Sequence, residues 1–133
     1  MKRDVYSGRL KLLGEEHVDT IIAANNYASS LAQLQRFEES RPLMRKALPA
    51  ARRVLGESHQ FTLTMTLTYA EALYRDNDAT LDDLREAVGT LEDAGRIAQR
   101  VLGGAHPVTV EIEENLQDAR AALRARETPS GSA

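Results

Sequence analysis

Three histidines, His17, His59 and His106, recur along this 133-residue chain at offsets of 42 and 47 residues. Imidazole is the commonest metal ligand among side chains, so the recurrence first raises the question of a metal site. Each histidine, however, sits at the same point of a repeated segment. If that segment is a helical hairpin, two packed helices separate successive histidines, roughly 20 Å at 8–10 Å per packed pair. One zinc ion holds its nitrogen ligands at about 2.1 Å. Histidines so spaced cannot share an ion. No metal is expected, and the position suits a turn or a helix cap.

Two acidic clusters invite the same scrutiny. "DNDATLDD" at 76–83 resembles the start of an EF-hand loop, with Asp76, Asp78 and Thr80 alternating. Such a loop needs Gly at its sixth position and Glu at its twelfth, where this chain has Leu81 and Ala87. What remains is a solvated acidic turn ahead of a helix, where the helix dipole favours carboxylates. "EIEENLQD" supplies Glu111, Glu113, Glu114 and Asp118, a charged face that keeps a terminal helix soluble. The sequence contains no Gly-rich phosphate loop, no nucleophile elbow, no H-E-x-x-H and no Cys. Neither an enzyme nor a cofactor is expected.

Composition narrows the class further. A formal net charge of −3 lacks the basic footprint of a nucleic-acid binder. No apolar run approaches the roughly 18 residues of a membrane span. The opening "MKRDVYSGRLKLLG" has no apolar core of a secretory signal. A soluble protein of the cytoplasm is expected, with no nucleic-acid or membrane partner.

The histidines belong to a longer pattern. "LGEEHVDT" (13–20), "LGESHQFT" (55–62) and "LGGAHPVT" (102–109) share L-G-x-x-H-x-x-T. Gly14, Gly56 and Gly103 can take the left-handed conformation that ends a helix. Pro107 suits the first turn of the next, where its missing N–H has no intrahelical partner. The unit therefore reads helix, turn, helix, Gly stop. The five extra residues of the second period fall within "RDNDATLDDL" and are expected to lengthen a connection.

A helix pair of about 42 residues with "NNYASSLAQLQRFEESRPLMRKAL" inside it resembles the tetratricopeptide repeats of kinesin light chains. Asn25, Asn26, Ala28, Phe37, Glu38, Pro42 and Leu43 match that family's pattern, whereas Gln35 stands where Gly is usual. The resemblance implies an all-α fold, a right-handed solenoid of antiparallel helix pairs with about six helices and no β-sheet. The spacing places helices at about 3–13, 18–34, 37–55, 60–76, 80–102 and 107–126. A partial repeat (1–14), two full repeats (15–56 and 57–103) and a capping helix (104–126) make one domain, followed by a disordered tail at 127–133. Thr80 and Asp83 form a capping-box pattern, and Pro49 removes one backbone bond inside the third helix and should kink it.

The family consensus also assigns faces. Ala24, Tyr27, Ala28 and Leu31, with Thr66, Tyr69, Ala70 and Leu73 in the next repeat, should point to the core. The opposite arc would line a concave groove: Ile22, Asn25, Ser29 and Gln33, then Thr64, Leu67, Glu71, Tyr74 and Arg75. These are the candidate partner-binding residues, and the function implied is a noncatalytic module or scaffold holding a peptide or partner helix. The alternative is an assembly unit, or part of a longer array, whose unpaired N-terminal helix meets another copy or subunit. One segment resists the all-α reading. "FTLTMTLTY" (61–69) alternates like a strand, yet repeat register makes it a helix. Its residues are mediocre helix formers, so it should be the least intrinsically stable first helix, with amides exchanging faster than those of 19–33.

Overall fold

Helix stops and starts recur where the repeated motif puts them. In a computed structural model describing residues 2–127, six helices follow one another: α1 (Lys2–Leu13), α2 (Val18–Gln33), α3 (Phe37–Val54), α4 (Gln60–Tyr74), α5 (Leu81–Val101) and α6 (Pro107–Glu127). No strand occurs among the described residues. "FTLTMTLTY" lies within α4, where Thr64, Thr66 and Thr68 return their hydroxyls to carbonyls one turn back, at 3.1, 2.8 and 3.2 Å. Glu127, expected as the first residue of the tail, instead ends α6, and the 128–133 part of the tail lies outside the described residues.

The three motif glycines adopt φ of 84°, 95° and 88°, and each following histidine caps the next helix. His17 Nδ1 accepts the Asp19 N–H at 3.1 Å, His59 Nδ1 that of Phe61 at 3.0 Å, and His106 Nδ1 that of Val108 at 3.1 Å. Each ring thus satisfies one of the donors left orphaned at a helix start. Thr80 and Asp83 form the reciprocal capping box at the head of α5. Asp76 takes the Asp78 N–H on Oδ1 at 2.9 Å and pairs with Arg41 through Oδ2 at 2.8 Å. The acidic turn is therefore held by its own side chains.

Gln35, in the position usually given to Gly, sits at φ 60°. The α2–α3 turn needs a left-handed residue there, and a side chain in that region is strained by about 1–2 kcal/mol. The longer second period is shared between two places. The α4–α5 connection has six residues against three in α2–α3, and α5 has 21 residues against 18 in α3. The extra length therefore extends a helix as well as a connection.

Successive helices pack as neighbours, and α4 also touches α2 and α6 across the first-helix layer. Ala24, Ala28, Leu31, Thr66, Tyr69, Ala70 and Leu73 are buried as the repeat register requires. Tyr27 is only half-buried and stacks on Tyr6 of α1, with ring centroids 6.2 Å apart. Met44, Leu63, Met65, Leu84, Leu91 and Ile112 fill the space between layers. Ala28, Ala51, Ala70, Ala87 and Ala98 let the helices approach closely. The result is a short solenoid of helix hairpins with α4 at its centre.

Candidate functional site

The first helices α2, α4 and α6 stand side by side, α4 touching both of the others. A cleft of about 610 Å³ opens there. Ser29, Ala32 and Gln33 come from α2, Gln35 and Phe37 from the turn into α3, Thr68, Glu71, Tyr74 and Arg75 from the end of α4, and Asp118 and Ala122 from α6. Five of the nine residues expected in the groove therefore meet: Ser29, Gln33, Glu71, Tyr74 and Arg75.

The other four lie elsewhere. Asn25 and Leu67 are buried between helices, at 7% and 3% exposure, so neither presents a side chain to the cleft. Ile22 is exposed and Thr64 half-buried, but both sit one to two turns toward the helix starts. At 1.5 Å per residue this puts Ile22 about 10 Å from Ser29 along α2. The cleft occupies the C-terminal halves of α2 and α4 only. Thr68 of α4 also lines it.

A polar network ties α4 to α6 at the cleft wall. The Tyr74 hydroxyl donates to Asn115 Oδ1, and Asn115 Nδ2 donates to the Glu111 carbonyl at 2.9 Å. Arg75 Nη2 reaches the same Asn115 oxygen at 3.3 Å, and its Nε donates to the Tyr74 hydroxyl at 3.3 Å. The guanidinium also lies over the Tyr74 ring, 5.7 Å from its centroid, and Nη1 is 3.3 Å from Glu71 Oε2. Burial pushes the Glu71 carboxyl above the ordinary carboxylate range; Arg75 pulls the other way, and Glu111 adds to the rise. Burial likewise raises Tyr74, with Arg75 opposing it.

Sequence register missed Asn115, Asp118 and Ala122. The 47-residue offset from Leu67 points to Glu114, yet the buried face of α6 runs through Thr109, Ile112, Asn115, Leu116 and Ala119. Glu111, Asn115, Asp118 and Ala122 follow i, i+4, i+7 and i+11 and so share one helix stripe. That spacing was available signal.

Helix hairpins stacked in register, with an open concave face built from their first members, define a helical-repeat array. Residues 19–80 match the family model described as tetratricopeptide repeat, and the chain carries that repeat over this span. Repeats of this family mediate protein–protein interaction. No curated protein matches the chain. Among the described residues, no helix is long and apolar enough to cross a membrane.

Proposed function

We propose that the chain is a noncatalytic interaction module that seats an extended peptide or a partner helix in the cleft between α2, α4 and α6. The observation that carries this is the cleft itself, about 610 Å³ with side chains converging from three first helices. It mixes apolar floor (Ala32, Phe37, Ala122) with neutral hydrogen-bonding groups (Ser29, Gln33, Gln35), the lining a peptide main chain and its side chains both use. The reading includes a cytoplasmic setting, and the 42-residue spacing is what favours a kinesin-light-chain-like repeat within the family. Panning a random dodecapeptide library against the full chain tests it. Peptides should be selected whose binding is abolished by Ser29→Trp, or by Gln33→Trp at the exposed rim, with the circular-dichroism melt unchanged. Peptides that bind those variants as well as the parent would place the site elsewhere.

A second reading has its own observation. No residue of α1 is buried, and Val5 and Leu12 are 50% and 83% exposed. Such a face suits a contact with another copy or subunit. Light-scattering mass measured across concentration decides it: a monomer at every concentration would remove the assembly reading.

A further inference from the structure

The charges around the cleft are unequal. Arg75 is the one cation among the lining residues, and its donors are already directed to Tyr74, Asn115 and Glu71 at 3.3 Å each. The carboxylates are not spent in the same way. Among the described residues neither Asp118 nor Glu111 has an ion-pair partner within 4.0 Å, and both are exposed. From Pro107 to Ala119, α6 carries Glu111, Glu113, Glu114 and Asp118 and no Lys or Arg. Two of these, Glu111 and Asp118, fall on the stripe that faces α4.

We propose that the cleft selects a cationic segment, taking a Lys or Arg side chain of an extended partner with its charged head between Asp118 and Glu71. The inference rests on the cleft being the binding surface, as argued above. The long aliphatic stem of Lys or Arg lies across Ala32, Phe37 and Ala122, and the head reaches the carboxylates in the way amphipathic side chains divide between apolar and polar surroundings. Uncompensated carboxylates along α6 also steer a basic segment toward the cleft, an attraction that salt screens.

Glu71 adds a third carboxylate to the cleft wall. It lies 3.3 Å from Arg75 on the same wall, and its carboxyl is raised chiefly by burial, with Arg75 opposing and Glu111 adding to the rise. An acidic segment would instead meet Glu71, Asp118 and Glu111 with only an occupied Arg75 to receive it.

The dodecapeptide library provides the probe, and its selected members are then synthesised and measured by fluorescence anisotropy. Selected peptides should be net basic, should weaken at least tenfold on Asp118→Lys, and should weaken on raising salt. Glu71→Gln should weaken them less, and Arg75→Gln should leave them unchanged or tighter. Asp118 is exposed, so its replacement leaves the fold intact, and a circular-dichroism melt checks this. Acidic peptides lost on Arg75→Gln, or neutral peptides indifferent to Asp118→Lys, overturn the cationic preference. If Ser29→Trp still blocks such peptides, the cleft survives as the binding surface. Peptides insensitive to Ser29→Trp and Gln33→Trp, or no selected peptides at all, overturn the cleft reading and the cationic preference together.

Discussion

The two terminal helices do opposite jobs at the ends of the same array. α6 buries Thr109, Ile112, Asn115, Leu116 and Ala119, whereas α1 buries nothing. The cause is their place in the hairpin order. As a first helix α6 packs against both α5 and α4, while the contacts of α1 are chiefly with α2. Their outer faces differ too. At the positions of Ala28/Ala70 and Leu31/Leu73, α6 has the polar residues Gln117 and Arg120, both exposed. α1 instead shows Val5 and Leu12 among Lys2, Arg3, Arg9 and Lys11. Among the described residues, α6 is seated by a buried face, whereas the contacts of α1 include Tyr6 on Tyr27 and the Thr20 hydroxyl on the Arg9 carbonyl at 3.2 Å.

The widest contrast should appear in native-state amide exchange. A 12-residue helix with no buried residue is marginal by itself, so α1 amides should open at almost no free-energy cost. At the other extreme, α4 has 10 buried residues of 15 and packs against α2, α3, α5 and α6, so its amides should need global unfolding. The burial of α4 works against the order inferred from propensity, which placed faster exchange in 61–75 than in 19–33. Propensity describes the isolated segment, and burial at the centre of the array outweighs it. Protection in α1 equal to that in α4 would erase the contrast between ends and centre.

Core truncation measures the same asymmetry in stability. Ile112 is fully buried under α6, and Ile112→Ala should cost about 2–5 kcal/mol in urea unfolding. Leu12→Ala at the other end, 83% exposed, should stay within about 0.5 kcal/mol. Similar losses at both sites would mean that α1 is covered in solution, and would point to the assembly reading.

Much of this was legible in the sequence because the repeat carries its own punctuation. The Leu-Gly stops, the histidine caps and Thr80 with Asp83 each act within a few residues, so local chemistry fixes them. That is also why "FTLTMTLTY" could be placed as a helix against its own alternation: its flanking punctuation matched that of 20–33. The lining of the cleft was half legible. Ser29, Gln33, Glu71, Tyr74 and Arg75 follow from register, but Asn25 and Leu67 depend on how far two first helices lean together, which one helix's periodicity does not encode. Asp118 and Ala122 depend on the seating of α6, whose buried stripe differs from that of α2 and α4 because, among the described residues, no helix packs on its outer side.

The caps extend the comparison at smaller scale. His17 and His106 make the same bond, but His17 joins the loose end and is exposed, whereas His106 is half-buried under the docked helix. Loss of an N-cap costs about 0.5–2 kcal/mol. His106→Ala should fall in the upper part of that range and His17→Ala at its bottom, measured by thermal unfolding. Equal values would show that the capping bond alone, and not the docking of the helix it starts, sets the loss. Gln35→Gly works in the opposite direction. Removing left-handed strain of about 1–2 kcal/mol, less the extra backbone entropy of Gly at about 0.5–1 kcal/mol, should leave a gain of about 0.5–1 kcal/mol.

The smallest effect lies where α6 meets the cleft. Burial holds the Glu71 carboxyl above its ordinary range, with Glu111 of α6 adding to the rise and Arg75 opposing both. A carboxyl raised in the folded state contributes its stability fully below the unfolded value and loses it as pH climbs through the folded one. Ionised Glu71 at neutral pH is therefore a small burden on the closed end of the array. Glu71→Gln should raise the neutral-pH melting temperature slightly, and the difference should vanish in acid, where the parent's carboxyl is already protonated. A melting temperature that drops at neutral pH would show that the Glu71–Arg75 pair outweighs burial. The seating of α6 would then owe more to ion pairing, and less to Ile112 and Leu116, than its buried face implies.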